Sequence, residues 1–346
     1  FLDQLKKELT YPMAWGNSPV KNFKKWRKQA RATVLDAMLA PPPYTTKYET
    51  EILAEEQREG YRAKKLCFNL TGYSRVNAYV LIPDGEGPFP AVVLLHDHGG
   101  HYTIGKEKMI RPFGVDKAVL DDADAWAANC YGGQYAGDYL AAHGYVVISV
   151  DALYWGERGR KEGADGSKYA DNAGNFMMLG RSLSAFMNYE DMYTTDYLAT
   201  LPEVDPKRIA CMGFSMGGYR AWMLSALSDK IQVGAAICWM TTTDCQFSWE
   251  YGRERGGFAN MLPGIRRYLD YPHIASIACP KPMLFLNGEH DKLFPPIGVR
   301  AAFAEMHEVW ESRSAGDKLV TELWDMPHDC GKKVQAKILD FLNKWL

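Results

Sequence analysis

The run Gly213-Phe214-Ser215-Met216-Gly217-Gly218 sets a serine among glycines, directly after the strand-like residues 208–212 and directly before a helix-forming run from Tyr219 to Leu227. A strand that turns sharply into a helix through G-x-S-x-G presents its serine at the turn, and the glycines are needed because side chains there would strike the adjoining strand or helix. The chemistry open to such a serine is nucleophilic attack on a carbonyl. Its hydroxyl is weak at this task until a base takes its proton and a third group holds that base. Two later residues are placed to do so. Residues 282–288 read as a buried strand, and the turn behind them carries Asp291; residues 319–324 read as a last strand, and the loop behind them carries His328. Glu289, in the same turn as Asp291, is a competing acid. Asp151 ends the apolar run 146–150 but precedes the serine, and it reads as structural or pocket-lining.

Serine, aspartate and histidine in that order, each just past the C-terminal end of a strand, form the pattern of the α/β-hydrolases. From about residue 60 onward the chain resembles the dienelactone hydrolase and acetyl xylan esterase group of that superfamily. The resemblance runs through Leu179-Gly180-Arg181-Ser182-Leu183, Asp191-Met192, Asp196-Tyr197-Leu198 and Pro202-Glu203-Val204-Asp205-Pro206-Lys207-Arg208-Ile209 into the serine turn. It implies an α/β fold with a mostly parallel central sheet, antiparallel N-terminal strands and helices on both faces. It also implies that Ser215 is the nucleophile, His328 the general base and then acid, and Asp291 the group that orients the imidazole. Dienelactone hydrolases carry cysteine where this chain has Ser215, so the resemblance points to a serine carboxylesterase. Its substrates would be small acyl esters, acetyl above all, on a carbohydrate such as acetylated xylan. The resemblance calls for no cofactor and favours an exported or periplasmic location.

An acyl-transfer site needs two backbone N–H groups aimed at the developing oxyanion. Met216, after the nucleophile, is one; the loop behind the buried strand 91–95, His96-Asp97-His98-Gly99-Gly100, supplies the other, with His98 favoured and Asp97 as the alternative. The same loop supports a rival. His96, His98 and His101 form H-x-H-x-x-H, which superficially matches the first ligand motif of binuclear metallohydrolases. Such motifs carry aspartate before the third histidine, where this chain has Gly100, and His143, His273 and Cys330 are only scattered candidates for the remaining ligands. The reading adopted is therefore no metal, with a metal-dependent hydrolase or a peptidase of the same fold as alternatives.

The elements around these residues fit an enzyme with a large core. The chain has 346 residues, 47% hydrophobic, and a formal net charge of −2, so no basic excess marks a nucleic-acid partner. No apolar run reaches the roughly 18 residues of a spanning helix, which predicts a soluble protein without membrane insertion. The seven cysteines are irregularly spaced and contain no C-x-x-C. Residues 1–45 read as a helical extension packed on a catalytic domain of residues 46–346. Within the extension Phe23, Trp26, Ala30, Val34, Ala37 and Met38 form one apolar stripe, and Pro41-Pro42-Pro43 ends it. A second stripe, Leu179, Leu183, Phe186, Tyr189, Tyr193, Tyr197 and Leu201, predicts the crossover helix before the serine.

Specificity falls to three segments expected to be irregular, residues 101–135, 153–176 and 240–273. With the strand ends beside them they supply Tyr154, Trp155 and Trp239 as pocket walls, together with Tyr102, Trp126, Tyr131, Phe247, Trp249 and Tyr251. Aromatic faces beside polar groups suit sugar rings, so the expected partner is a small-molecule or carbohydrate ester. Glu157 and Arg158 read equally as substrate holders or as an ion pair.

Overall fold

Strands near the start of the chain alternate in character, and those further on are apolar throughout. β1 (Glu51–Arg58) is mostly exposed and β2 (Tyr61–Asn69) buries every second residue over most of its length. β3 (Arg75–Pro83), β4 (Phe89–Leu95), β5 (Val146–Val150) and β6 (Val204–Phe214) are largely enclosed, with β5 buried at every position, as expected of strands covered on both faces. β7 (Ile231–Ile237), β8 (Met283–Gly288) and β9 (Leu319–Trp324) complete a nine-stranded sheet in the order β1-β2-β3-β5-β4-β6-β7-β8-β9. The β1/β2, β2/β3 and β3/β5 pairs are antiparallel and every later pair is parallel. These relations come from a computed structural model that describes residues 1–159, 165–248 and 257–346.

Alternate side chains of the central strands divide the core between the two faces of the sheet. Val93, Leu95, Ile209 and Cys211 pack with Tyr197, Leu198, Ala221 and Leu224, from the helices Leu183–Leu198 and Met216–Leu227. Val92, Leu94, Ala210 and Met212 pack with Leu140, Val334, Ile338 and Leu342 on the other face. The N-terminal helix Phe23–Ala37 is capped by Asn22, whose side chain accepts from the Lys25 amide at 2.9 Å. Its Trp26, Ala30 and Val34 are fully buried in the cluster that holds Trp222, Met223 and Trp310, while Lys24, Lys25 and Lys28 face outward. Arg31 adds a two-point bridge to Asp229 at 2.9 and 3.0 Å.

The connecting segments hold more helix than their composition suggests. Lys117–Cys130 and Gly166–Met178 are both helical, the second started by the Asp165 side chain, which accepts from the Ser167 and Lys168 amides. The predicted crossover stripe is also divided. Gly180, at φ 69°, ends one helix, and the Ser182 side chain caps the next by accepting from the Ala185 amide. Leu179 is consequently 77% exposed rather than part of the stripe. Among the described residues no helix is long and apolar enough to cross a membrane.

Two buried ion pairs fix the crossover helix against its neighbours. Asp191 grips Arg220 of the helix Met216–Leu227 through bonds of 2.5 and 2.9 Å, and Glu190 grips Arg158 through two bonds of 2.7 Å. Arg158 is thus engaged in a structural pair, one of its two anticipated roles. Removing one partner of a buried pair strands the other charge, at a cost of about 3–5 kcal/mol. Arg220→Leu is expected to lose stability in that range, read as a lowered urea midpoint at unchanged slope; a change under about 1 kcal/mol would show that the pair does not hold the helix.

Candidate active site

Ser215 follows β6 with φ 55° and ψ −121°, a conformation that L-residues rarely hold unless their surroundings impose it. Close packing imposes it here. A Cβ on Gly217 would lie 1.8 Å from the Leu95 carbonyl oxygen, one on Gly213 would lie 2.2 Å from the Gly217 oxygen, and one on Gly218 would lie 2.7 Å from the Ile237 oxygen. The three glycines therefore let the turn press between β4 and β7, and the Ser215 amide donates to Ile237 O at 2.8 Å. The helix Met216–Leu227 begins at once, so its first amides and the positive end of its dipole face the serine side chain.

Asp291 and His328 meet at the adjacent strand ends. His328 Nδ1 lies 2.6 Å from Asp291 Oδ2, while Asp291 Oδ1 accepts from the amides of Leu293 and Phe294 at 2.7 and 3.3 Å. The two loops are laced together, with Glu289 N donating to Trp324 O and His290 N to Met326 O. Gly288 permits this approach, since a Cβ there would sit 2.3 Å from Met326 O. The competing acid, Glu289, pairs with Arg300 instead. The His328 ring packs against Phe214 at 4.7 Å between centroids and over Phe294 at 6.1 Å. Ser215, Met216 and His328 all line one cleft of about 690 Å3. Among the described residues no hydrogen bond joins the serine to the imidazole; in free enzymes such contacts are often long and close when substrate arrives.

The three histidines of the H-x-H-x-x-H run do not converge. His96 is fully buried and uncharged: its Nδ1–H donates to Asp97 O at 2.8 Å, and its Nε2 accepts from the Ala152 amide at 2.9 Å. Burial holds its pKa well below the ordinary histidine value. His98 takes the opposite tautomer, because its Nδ1 accepts from the Gly100 amide at 2.9 Å, leaving the proton on Nε2. Burial, aided by the Lys108 charge, lowers its pKa to about 4. His101 turns away to Asp122 at 2.6 Å and stacks on Trp126. Of the scattered ligand candidates, His143 bonds Tyr139 O, His273 caps the helix Tyr271–Ala275, and Cys330 is buried.

Two groups of possible ligand atoms do cluster among the described residues: Cys238 with Asp291 and His328, and Glu107 with Asp151 and Glu157. In the second, the Lys106 ammonium already sits within 2.7–2.9 Å of all three carboxylates. Asp151 is thus a structural anion away from the cleft wall, and Glu157 is held by Lys106 and Lys65.

The cleft walls differ from those anticipated. Tyr154 and Trp155 do not line it: the Tyr154 hydroxyl donates to Lys168 O at 2.9 Å, and Trp155, fully buried, donates Nε1–H to His98 O at 3.2 Å. Aromatic residues next to the reactive loop, residues 96–100 behind β4, are drawn behind it, where their polar tips find carbonyl partners. Trp239 does line the cleft, with Tyr102, Trp126, Tyr169, Phe258 and Phe294, and with Gln246 and Asn260 as polar neighbours. Tyr169 and Phe258 escaped notice: Tyr169 sits on the apolar side of a helix read as an irregular segment, and Phe258 lies in a stretch without periodicity. Trp249 and Tyr251 lie outside the described residues. Asp97, on the loop, is enclosed by Tyr131, Trp126 and Lys108.

Comparison with known proteins agrees with this architecture. The chain is 28% identical over 317 residues to the Bacillus subtilis (strain 168) protein named "Putative hydrolase YtaP", covering 91% of this chain and 99% of that one. Among solved structures it is similar to a "putative acetyl xylan esterase (BF1801)" from Bacteroides fragilis NCTC 9343, with TM-score 0.74 and 20% identity over 93% of this chain and 81% of that one. It is also similar to a glucuronoyl esterase from Solibacter usitatus, with TM-score 0.64 and 15% identity over 92% and 91% of the two chains. At such identities these likenesses establish the α/β-hydrolase fold. The model of the Abhydrolase family matches residues 2–314, nearly the whole of the extension, sheet and serine turn, and the chain belongs to that family.

Proposed function

We propose that the protein is a serine carboxylesterase that removes small acyl groups, acetyl foremost, from carbohydrate esters. The observation that carries this reading is the 2.6 Å contact of His328 Nδ1 with a buried Asp291 oxygen, at the mouth of a cleft shared with the strained Ser215. With its Nδ1–H held by the carboxylate, the imidazole keeps Nε2 free to accept the serine proton. Ser215 Oγ attacks the ester carbonyl, the Met216 and His98 amides hold the tetrahedral oxyanion, and His328 returns the proton to the departing alcohol. Water then repeats the sequence on the acyl-enzyme. The scheme needs no metal or cofactor. The aromatic walls with Gln246 and Asn260 among them favour a sugar as the alcohol. The name of the Bacteroides protein favours the same class, and that of the Solibacter protein, in which the sugar is the acyl part, favours carbohydrate esters more broadly.

The test is turnover of 4-nitrophenyl acetate and of acetylated xylo-oligosaccharides, each with and without a strong chelator. Both substrates are expected to be hydrolysed at rates the chelator leaves unchanged. Hydrolysis of the nitrophenyl ester alone would remove the sugar from the reading; loss of all activity with the chelator would remove the serine mechanism.

A further inference from the structure

Lys108 is fully buried, and all three of its ammonium hydrogens have acceptors within the reactive loop. Its Nζ lies 3.1 Å from Asp97 O, 3.1 Å from His98 O and 3.3 Å from Asp97 Oδ2. An ammonium removed from water persists only when paired and hydrogen-bonded, so its three contacts define where that loop can lie. Two of the three are main-chain carbonyls of consecutive residues. In a planar trans peptide the carbonyl and the N–H of the following residue point in opposite directions. Drawing Asp97 O and His98 O inward therefore turns the amides of His98 and Gly99 outward, and Asp97, His98 and Gly99 all lie on the cleft wall. Neither amide donates to another described residue.

Resting on the serine-esterase reading above, we infer that Lys108 is the positioning residue of the oxyanion hole, fixing the 97–98 and 98–99 peptides so that their N–H groups face the reacting carbonyl. Further contacts brace the arrangement. The Asp97 carbonyl also accepts from His96 Nδ1, and the His98 carbonyl from Trp155 Nε1 and the His101 amide. Gly99 presses on Trp126, whose ring would meet a Cβ at 2.3 Å. The Asp97 carboxylate, held by Tyr131 and Trp126, balances the buried charge. A carbonyl bonded to a cation also polarises its peptide, which makes the attached N–H a stronger donor. Lys108 thereby acts through two backbone amides without touching substrate.

The experiment compares wild type with Lys108→Met, which keeps length and bulk but removes the charge and all three donors. On 4-nitrophenyl acetate kcat is expected to fall about 10²- to 10³-fold, the scale of losing one oxyanion donor, with KM changed less than about threefold. Affinity for an aryl trifluoromethyl ketone should fall by the same factor as kcat. Attack of Ser215 Oγ on that ketone forms a hemiketal whose oxyanion occupies the hole, while the serine proton passes to His328. A lysine that merely supports the fold would lower the unfolding midpoint and leave kcat per folded molecule and ketone affinity intact, which overturns the inference. If Lys108→Met does not fold, Trp155→Phe keeps an aromatic ring, a smaller one, and deletes one N–H on His98 O. It should lower kcat and ketone affinity together by about five- to tenfold, and unchanged ketone affinity overturns the inference. A wild type that forms no ketone adduct sinks the serine reading and this inference together. A wild type that forms it as tightly as Lys108→Met leaves the serine reading standing and sinks this one alone.

Discussion

Ser215→Ala is expected to lower kcat/KM on 4-nitrophenyl acetate by about 10⁴- to 10⁶-fold while leaving the thermal unfolding midpoint nearly unchanged. Both halves follow from the geometry. Alanine keeps the Cβ, so it meets the same strain at φ 55° that the serine meets, and the serine amide bond to Ile237 O belongs to the backbone and survives. What disappears is the one oxygen of the turn that can form an acyl-enzyme. The residual rate should still exceed that in water, because the amides of Met216 and His98 and the cleft itself remain to hold a substrate for attack by solvent. Activity within about tenfold of wild type, in a variant shown to be folded, would mean that the nucleophile lies elsewhere.

The serine turn was legible in the sequence because its constraint is local: each glycine of Gly213-Phe214-Ser215-Met216-Gly217-Gly218 answers to a backbone contact within or beside the turn. Asp291 and His328 were placed by the strands before them, but unequally: Met283–Gly288 is buried throughout, whereas Leu319–Trp324 is an edge strand in which only Leu319 is buried. The antiparallel start of the sheet was implied by the family resemblance, and β1/β2, β2/β3 and β3/β5 pair in that sense. The dense polar network behind the reactive loop was not legible. Lys106 and Lys108 lie in a stretch, Gly105-Lys106-Glu107-Lys108, that reads as a solvated charge run, yet both are fully buried. Their partners, Asp97, Asp151 and Glu157, come from the segments behind two different strands, β4 and β5, and no periodicity within one segment announces such a meeting. Tyr154 and Trp155 were placed on the cleft wall for the same reason: composition marks aromatic residues near a site but not the side of the loop on which they pack. The helix Gly166–Met178, started by the Asp165 side chain, was read as irregular although Tyr169, Ala173 and Phe176 recur on one side of it.

Asp291→Asn should cost about 10⁴-fold in kcat/KM, more than the loss of a negative charge near the site would suggest. The reason lies in how the carboxylate is held. Asp291 Oδ1 accepts from the Leu293 and Phe294 amides, so an asparagine must keep its carbonyl oxygen on that side and turn its NH2 toward His328 Nδ1. The two N–H groups on Oδ1 block the opposite rotamer, which would set donor against donor. The imidazole can then accept at Nδ1 only by carrying its proton on Nε2, the nitrogen that has to be bare to receive the serine proton. The variant thus locks the base in the wrong tautomer while preserving size, burial and the lacing of the two loops, and its unfolding midpoint should stay close to that of wild type. Glu289→Gln is the matching control, because Glu289 bonds Arg300 and has no part in holding the imidazole. It should retain kcat/KM within about threefold, in keeping with the small worth of a partly exposed ion pair. If Glu289→Gln were the crippled variant and Asp291→Asn the active one, the acid of the site would be the wrong residue of the turn. A loss of less than about tenfold in Asp291→Asn would mean that the 2.6 Å contact does not set the tautomer during turnover.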